Sequence, residues 1–164
     1  MDLFFFWLQQ DNISEQNCFS RRLDFFSFQI CNAMHYFEKK FIIHRDLATR
    51  NCLIDDYANR VKMSDFGMAR IISSSSSMIY EEKYDKPFPL RWSSPEVLIY
   101  RKYSSKYDVW SYGIVLWEIH SLDKIPYKQS ISNDIIIQLI KSGHMLNKPE
   151  LANHFICKLL MLPC

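Results

Sequence analysis

The stretch H-R-D-L-A-T-R-N occupies residues 44–51 of the chain, and the shorter stretch D-F-G follows at residues 65–67. Each lies just after a short apolar run of β-strand character. D-F-G alone is a weak three-letter signal, but the two stretches in this order and context form a specific pattern. Together they predict two acidic side chains, Asp46 and Asp65, that lie nineteen residues apart and each follow a strand-like segment.

Two longer stretches on either side of this pattern predict helices. Apolar residues recur at intervals of three and four between Leu23 and Phe37, which predicts an amphipathic helix. This helix is expected to end near Lys39 and Lys40, whose charges suit a helix C-terminus. The stretch 108–119 is apolar on nearly every side and predicts a helix that is buried all round.

Shorter elements complete the expected organisation. A third helix is predicted from Asn133, a suitable N-cap, to Gly143, a suitable residue after the C-cap. Three short apolar runs predict β-strands: Phe41–Ile43, Cys52–Ile54 and Val61–Met63. The polar residues at 55–59 suit a hairpin turn between the last two. The chain is therefore expected to be mostly helical, with a small β element near its middle.

Composition excludes several classes of function. The 164 residues suffice for one globular domain. Twenty basic and eighteen acidic side chains leave a net charge of +2, which gives no strong electrostatic case for binding nucleic acid or an anionic membrane. The three glycines, Gly67, Gly113 and Gly143, lie far apart. A glycine-rich phosphate-binding loop is therefore excluded from residues 1–164.

Cysteine usage and the N-terminal residues bear on the compartment. The five cysteines contain no C-x-x-C pair and are odd in number, so reduced thiols in the cytosol are expected. No cleavable signal peptide is predicted, and the apolar run at residues 3–8 is interpreted as a buried helical turn. This run is too short to span a bilayer, which needs about 20 residues, so no transmembrane segment is expected. Five serines at residues 73–77 predict a mobile loop.

With these residues, the chain resembles the protein kinases, and specifically the C-terminal lobe of a tyrosine kinase. Ala48 stands where serine/threonine kinases usually carry lysine, and Arg50 supplies a basic residue two positions later. The segment F-P-L-R-W at residues 88–92 is similar to the tyrosine-kinase segment that docks the substrate. The segments D-F-G-M-A-R at 65–70 and W-S-S-P-E-V at 92–97 are most similar to those of cytoplasmic kinases of the Tec group.

The resemblance implies a fold as well as an activity. The family fold is α+β, and the part expected here is its mainly α-helical C-terminal lobe, with short β-hairpins at the catalytic loop. Residues 1–164 are expected to form a partial kinase domain that is truncated at both ends. The N-terminal lobe, which carries the glycine-rich loop, the phosphate-binding lysine and its glutamate partner, is expected to be absent. For that reason, the isolated chain is predicted to be inactive.

The resemblance also implies roles for individual residues in phosphoryl transfer from ATP with Mg²⁺. Asp46 would accept or orient the proton of a substrate tyrosine hydroxyl, and Arg50 would help to position that tyrosine. Asn51 and Asp65 would hold Mg²⁺ through oxygen atoms, which suit a hard cation. Leu53 would form an apolar floor beneath the adenine ring.

A regulatory phosphotyrosine is expected in the segment after D-F-G. Arg45 would pair with its phosphate, and the family spacing counted back from the substrate-docking segment reaches Tyr80, with Tyr84 as the fallback. Four further residues are expected to be structural rather than catalytic: His44, Phe66, Glu96 and Asp108.

Two hypotheses for function remain open from the sequence. In the first, the chain is part of an active tyrosine kinase that acts on tyrosines of protein substrates, in the cytoplasm, with regulatory SH2 or SH3 modules compatible with a longer parent chain. In the second, it is a non-catalytic remnant of a kinase lobe that binds or decoys protein partners. The complete set of Asp46, Arg50, Asn51 and Asp65 motivates the first hypothesis, and the missing ATP-binding lobe motivates the second.

Overall fold

The computed structural model describes residues 16–55, 59–72, 79–82 and 87–161. About half of the described residues are helical. The α-helices are α1 (Gln16–Lys39), α2 (Pro95–Tyr100), α3 (Ser105–His120), α4 (Asn133–Lys141) and α5 (His154–Met161). The strands are β1 (Ile42–Ile43), β2 (Cys52–Asp55), β3 (Arg60–Met63), β4 (Arg70–Ile71), β5 (Tyr80–Glu81) and β6 (Lys102–Tyr103). Short 3₁₀ turns lie at Thr49–Asn51, Phe66–Met68 and Leu90–Trp92.

Helix α1 confirms the predicted amphipathic helix and its end at Lys39. Its residues Leu23, Phe26 and Ile30 are completely buried, because their spacing of three and four places them on one face. The predicted helix began at Leu23, whereas the observed helix begins at Gln16. The buried face packs against α3, which is the central element of the core.

Within the described residues, six strands form three antiparallel pairs. The H-R-D loop, defined here as residues 44–51, lies between β1 and β2. Strand β1 pairs with β4, β2 with β3, and β5 with β6. The predicted hairpin is confirmed in its two strands, whose register pairs Cys52 with Met63, while residues 56–58 of its turn lie outside the described residues. Gln29 of α1 locks this hairpin, because its Oε1 accepts the Val61 N–H at 3.0 Å and its Nε2 donates to the Asn59 oxygen at 3.0 Å.

Helix α3 confirms a buried helix around residues 108–119, but the prediction that it is buried all round is wrong. Val109 is 53% exposed. Val115 and Ile119 belong to the core cluster with α1, and the Tyr112 hydroxyl donates to the Ser27 oxygen at 2.8 Å. When a helix is apolar on every side, its sequence does not indicate which side the rest of the protein leaves exposed to solvent.

Helix α4 begins one residue earlier than predicted, since Ser132 is the N-cap and Asn133, the predicted cap, is the first helical residue. Its predicted end is confirmed. Gly143 adopts a φ of 76°, and its N–H bonds to the Ile140 oxygen at 3.0 Å while the His144 N–H bonds to the Leu139 oxygen at 2.9 Å. This pair of bonds is a Schellman motif, which favours glycine at the left-handed position.

Several expectations fall on other parts of the chain. The apolar run at residues 3–8, the serines at 73–77 and the fallback Tyr84 lie outside the described residues. Strand β5 lies in a segment for which no regular structure was predicted, and the helices α2 and α5 were also not predicted. In the portion of the chain that the structure covers, no helix combines the length and the apolarity that a membrane span requires.

Candidate active site

The backbone of the H-R-D loop is fixed by the first turn of α3. Asp108 accepts hydrogen bonds from the backbone N–H groups of His44 at 2.7 Å and Arg45 at 3.1 Å. Asp108 is buried, and this burial raises the pKa of its carboxyl to about 6. The Tyr107 hydroxyl donates to the Arg45 oxygen at 3.2 Å, and Arg45 adopts a left-handed φ of 69°. A distant helix therefore sets the shape of this loop.

Asp46 is held by two neighbours in the same loop. Asn51 Nδ2 donates to the backbone oxygen of Asp46 at 2.7 Å and to its Oδ2 at 3.0 Å. Arg50 Nη2 forms an ion pair with Asp46 Oδ1. The 3₁₀ turn at Thr49–Asn51 brings both partners back toward Asp46. The Asp46 side chain is 15% exposed, so its carboxylate is oriented and still accessible.

Arg50, which pairs with Asp46, also contacts the ring of Trp92. The Arg50 guanidinium lies 4.5 Å from the centroid of the Trp92 ring, at cation–π distance. Glu118 Oε2 accepts both the Trp92 indole N–H at 2.9 Å and the Thr49 backbone N–H at 3.2 Å. Burial raises the pKa of Glu118 to about 7. Glu118 therefore ties the H-R-D loop to the segment that was predicted to dock the substrate.

Asp65 opens the D-F-G stretch in the left-handed conformation, with a φ of 58°. Its Oδ1 accepts the Gly67 N–H at 3.2 Å. A Cβ at Gly67 would lie 3.2 Å from the same oxygen, so glycine keeps this turn open. The Phe66 ring packs edge-on against Phe37, at 5.5 Å between centroids, and lies 5.1 Å from His44. The Phe66 ring therefore lies against both Phe37 and His44.

The His44 side chain connects the H-R-D loop to the residue before the D-F-G stretch. Its Nε2 is 3.1 Å from the Ser64 oxygen, and Ser64 donates to the Asn51 oxygen from N at 2.9 Å and from Oγ at 3.0 Å. Burial lowers the pKa of His44, while the Ser64 oxygen and the carboxylates of Asp46 and Asp65 act in the opposite direction. Both carboxylates therefore lie within electrostatic range of one imidazole.

Asn51 and Asp65 are the candidate ligands for Mg²⁺. The Asn51 amide nitrogen is directed to Asp46, which leaves the amide oxygen as its acceptor atom, and the Asp65 residue is exposed. Carboxylate and amide oxygens are hard donors that suit Mg²⁺. Among the described residues, no group of three or more His, Cys, Asp or Glu side chains could hold a metal ion. A cation here would therefore need further oxygen ligands, such as those of a bound phosphate.

Leu53 was predicted to form an apolar floor for adenine. It follows Cys52 in β2, and the alternation of a strand buries Cys52 in the core while leaving Leu53 40% exposed. An exposed leucine two residues after the H-R-D loop is compatible with an apolar contact to a ligand.

Arg45 is completely buried, and its surroundings include the predicted Tyr80. The guanidinium lies 4.7 Å from the Tyr80 ring centroid and 4.2 Å from the Tyr103 ring centroid. It also forms an ion pair with Glu82, which the sequence analysis did not identify. The only signal in the sequence was an acidic residue two positions after Tyr80.

Glu96 lies in the first turn of α2 and is partly exposed. It forms no ion pair with any residue that the structure describes. An acidic residue in this turn interacts favourably with the helix dipole, which is a structural role.

Comparisons with known proteins extend these observations. The protein tyrosine and serine/threonine kinase family matches residues 7–164. Cytoplasmic tyrosine-protein kinase BMX of Mus musculus is 41% identical over 133 residues, which is 81% of this chain and 20% of BMX. Tyrosine-protein kinase TXK of Homo sapiens is 43% identical over 123 residues, which is 75% of this chain and 22% of TXK.

A receptor from another species is similar to the same degree. Fibroblast growth factor receptor 1 of Dugesia japonica is 41% identical over 135 residues, which is 82% of this chain and 15% of the receptor. The chain thus spans about a fifth or less of the length of these relatives. The family match and the likeness to BMX and TXK confirm the resemblance to Tec-group kinases. The chain therefore belongs to the protein tyrosine and serine/threonine kinase family.

Proposed function

We propose that this chain is the C-terminal lobe of a tyrosine kinase domain, which transfers the γ-phosphoryl group of ATP to tyrosine hydroxyls of protein substrates when an ATP-binding lobe completes the domain. The arrangement around Asp46 is the observation that carries the proposal. The Asp46 carboxylate is held by the Asn51 amide and the Arg50 guanidinium, and the exposed Asp65 carboxylate lies within electrostatic range of the same imidazole, His44. No finding supports the alternative of a non-catalytic binding module.

Asp46 is the residue that we assign to the substrate hydroxyl. A carboxylate fixed through one oxygen by Asn51 and through the other by Arg50 is oriented to accept a proton from a nearby tyrosine. Arg50 is partly exposed and stacked on Trp92, so its planar guanidinium offers a surface beside the carboxylate. We assign to Arg50 the positioning of the substrate tyrosine.

Asn51, Asp65 and Leu53 are assigned to the nucleotide. The oxygens of Asn51 and Asp65 would hold Mg²⁺, and Leu53 would contact the adenine ring. When bound, Mg²⁺ neutralises the phosphate charge that phosphoryl transfer develops. The chain's own contribution is to hold the Asn51 side chain at Asp46 through its Nδ2 donor, while Ser64, the residue before Asp65, donates two hydrogen bonds to the Asn51 backbone oxygen.

The proposal is tested by a phosphorylation assay on a poly-Glu/Tyr substrate with ATP and Mg²⁺. The 164-residue polypeptide should show no turnover, because it contains no glycine-rich loop. A fusion that places the N-terminal lobe of the BMX kinase domain before this chain should be active. Asp46→Asn in the fusion should lower kcat by about 10²–10⁴-fold.

Asp55→Asn is the matched control for this test. Asp55 is a carboxylate of the neighbouring β2–β3 hairpin and pairs with the exposed Lys62 at 3.1 Å, so its loss should leave kcat within about twofold. A folded but inactive fusion, turnover by the 164-residue polypeptide, or equal losses in the Asp46 and Asp55 variants would contradict the proposal.

We further propose a cytoplasmic location, because the name of the relative BMX contains this description. SH2 or SH3 modules in a longer parent chain also belong to this proposal. Immunoblotting of the native protein in fractionated cells tests both parts, through its compartment and its apparent mass.

A further inference from the structure

Arg45 is completely buried, and its guanidinium already forms an ion pair with one carboxylate, that of Glu82. The guanidinium carbon lies 4.7 Å from the centroid of the Tyr80 ring and 4.2 Å from that of the Tyr103 ring. Its Nη1 donates to the Met68 oxygen at 3.2 Å, and its Nη2 forms an ion pair with Glu82. The exposed fractions of the Arg45 and Glu82 side chains are 1% and 7%. A buried ion pair of this kind is costly to break, because each charge then remains without compensation.

Backbone pairing fixes Glu82 at this position. Strand β5 pairs Tyr80 with Tyr103 and Glu81 with Lys102, and the Glu82 N–H donates to the Arg101 oxygen at 3.2 Å. Strand alternation then directs Tyr80 and Glu82 to the Arg45 side and the exposed Glu81 to the other. The contact between Glu82 and Arg45 is thus built into the sheet.

The Tyr80 hydroxyl lies beside the same carboxylate, since its oxygen is 3.4 Å from Glu82 Oε1. A phosphate on this hydroxyl would add a charge of about −1.5 to −2 next to Glu82. Arg45 Nε makes no hydrogen bond to any described residue. Arg45 therefore has a donor available for a phosphate oxygen, but the phosphate and the carboxylate would compete for one guanidinium.

We infer that Glu82 is the resident counter-anion of Arg45 and takes the place of a phosphate on Tyr80. Glu82 is thus a positioning residue, which holds β5 against the H-R-D loop through Arg45. Phosphorylation of Tyr80 displaces the Glu82 carboxylate and loosens β5 in the wild-type chain, whereas it restores the anion where Glu82 is absent. One consequence concerns catalysis, namely that the H-R-D loop is ordered without phosphorylation, and it rests on the proposed function. The effect of phosphorylation on the stability of β5 does not depend on the proposed function.

The experiment compares four forms of the 164-residue chain: the wild type and Glu82→Gln, each with tyrosine or with genetically encoded phosphotyrosine at position 80. Glu82→Gln should lower the melting temperature by about 10 °C, since it removes the ion-pair partner of a buried guanidinium. Phosphotyrosine should lower the melting temperature of the wild type by several degrees and raise that of Glu82→Gln. Hydrogen exchange at the Glu82 amide should change in the same directions.

Glu81→Gln is the matched control, because Glu81 forms an exposed pair with Lys102 at 3.1 Å. It should change the melting temperature by less than about 3 °C and should leave the effect of phosphotyrosine unchanged in sign. A merely structural role for Glu82 predicts the same sign for phosphotyrosine in both backgrounds, which would overturn the inference. Equal melting temperatures for Glu82→Gln and Glu81→Gln would also overturn it.

If Glu82→Gln does not fold, the wild-type pair decides alone. A phosphotyrosine at position 80 that raises the melting temperature or slows exchange of the Glu82 amide would contradict the inference. These readouts require no kinase activity. Failure of the BMX fusion to phosphorylate its substrate would therefore leave them unaffected.

Discussion

Glu118 shows how one buried carboxylate connects the pH dependence of stability to the candidate site. Its Oε2 accepts the N–H groups of Thr49 and Trp92, yet burial raises its pKa from 4.5 to about 7. The native state therefore holds this proton more tightly than the unfolded chain does. The stability that Glu118 contributes is complete below pH 4.5 and is lost as the pH rises through about 7.

Glu118→Gln should remove this dependence, because one amide oxygen can still accept both hydrogen bonds. The free energy of unfolding of the variant, relative to the wild type, should rise by about 3 kcal/mol between pH 4.5 and 7 and then level off. Asp108, whose pKa is also raised by burial, titrates in both proteins and cancels in the difference. Urea unfolding at several pH values measures this, and a difference that does not vary with pH would refute it.

The residues that sequence reasoning did not find share one property. Glu118 contacts Thr49 across 69 positions of the chain, and Glu82 meets Arg45 across 37. No local pattern reports such contacts. Asp46, Asn51 and Asp65, by contrast, lie in short stretches whose residue types and order are specific, so their proximity could be expected before the fold was known.

Helices and strands also differ in how far the local sequence predicts them. The hairpin of β2 and β3 and the helix α1 were predictable because their apolar spacing is local. Strand β5 has two residues and exists through its pairing with β6, which follows about twenty residues later. Val109 lies on an apolar helix whose sequence looks alike on all sides, so its exposure depends on neighbours that the local pattern does not specify.

At the level of single elements, two glycines should respond to the same substitution with opposite signs. Gly143 adopts a φ of 76° at the end of α4, where a side chain is strained, so Gly143→Ala should destabilise the chain by about 1 kcal/mol. Gly113 lies within α3, and an added Cβ would meet nothing within 4 Å. Gly113→Ala should therefore stabilise by about 0.5–1 kcal/mol.

Urea unfolding of the two glycine variants and the wild type gives both values. A neutral or stabilising effect of Gly143→Ala would show that the left-handed conformation at Gly143 does not limit stability. A loss of stability in Gly113→Ala would show that the added methyl group at position 113 collides with a neighbouring residue, contrary to the open space seen there.

Across the whole molecule, the candidate site and the main core are parts of one packed unit. Leu47 of the H-R-D loop and Cys52 at its end belong to the same buried cluster as Phe26 of α1 and Ile119 of α3. The loop that carries Asp46 is therefore anchored between the two longest helices described. Loss of core packing should release the loop together with the helices.

Substitutions at Phe26 and Phe28 test whether the loop and the helices are stabilised by the same core, because these residues lie two positions apart on α1, one buried and the other exposed. Phe26 is completely buried in the cluster, whereas Phe28 is 61% exposed. Phe26→Ala should lower the free energy of unfolding by about 3–5 kcal/mol, and Phe28→Ala should change it by less than about 0.5 kcal/mol. Native-state hydrogen exchange in Phe26→Ala should speed up at Leu47 as much as at Ile119, since both lose the same contacts. Faster exchange in the helices with an unchanged loop would show instead that the H-R-D loop is held by Asp108 and its hydrogen bonds alone.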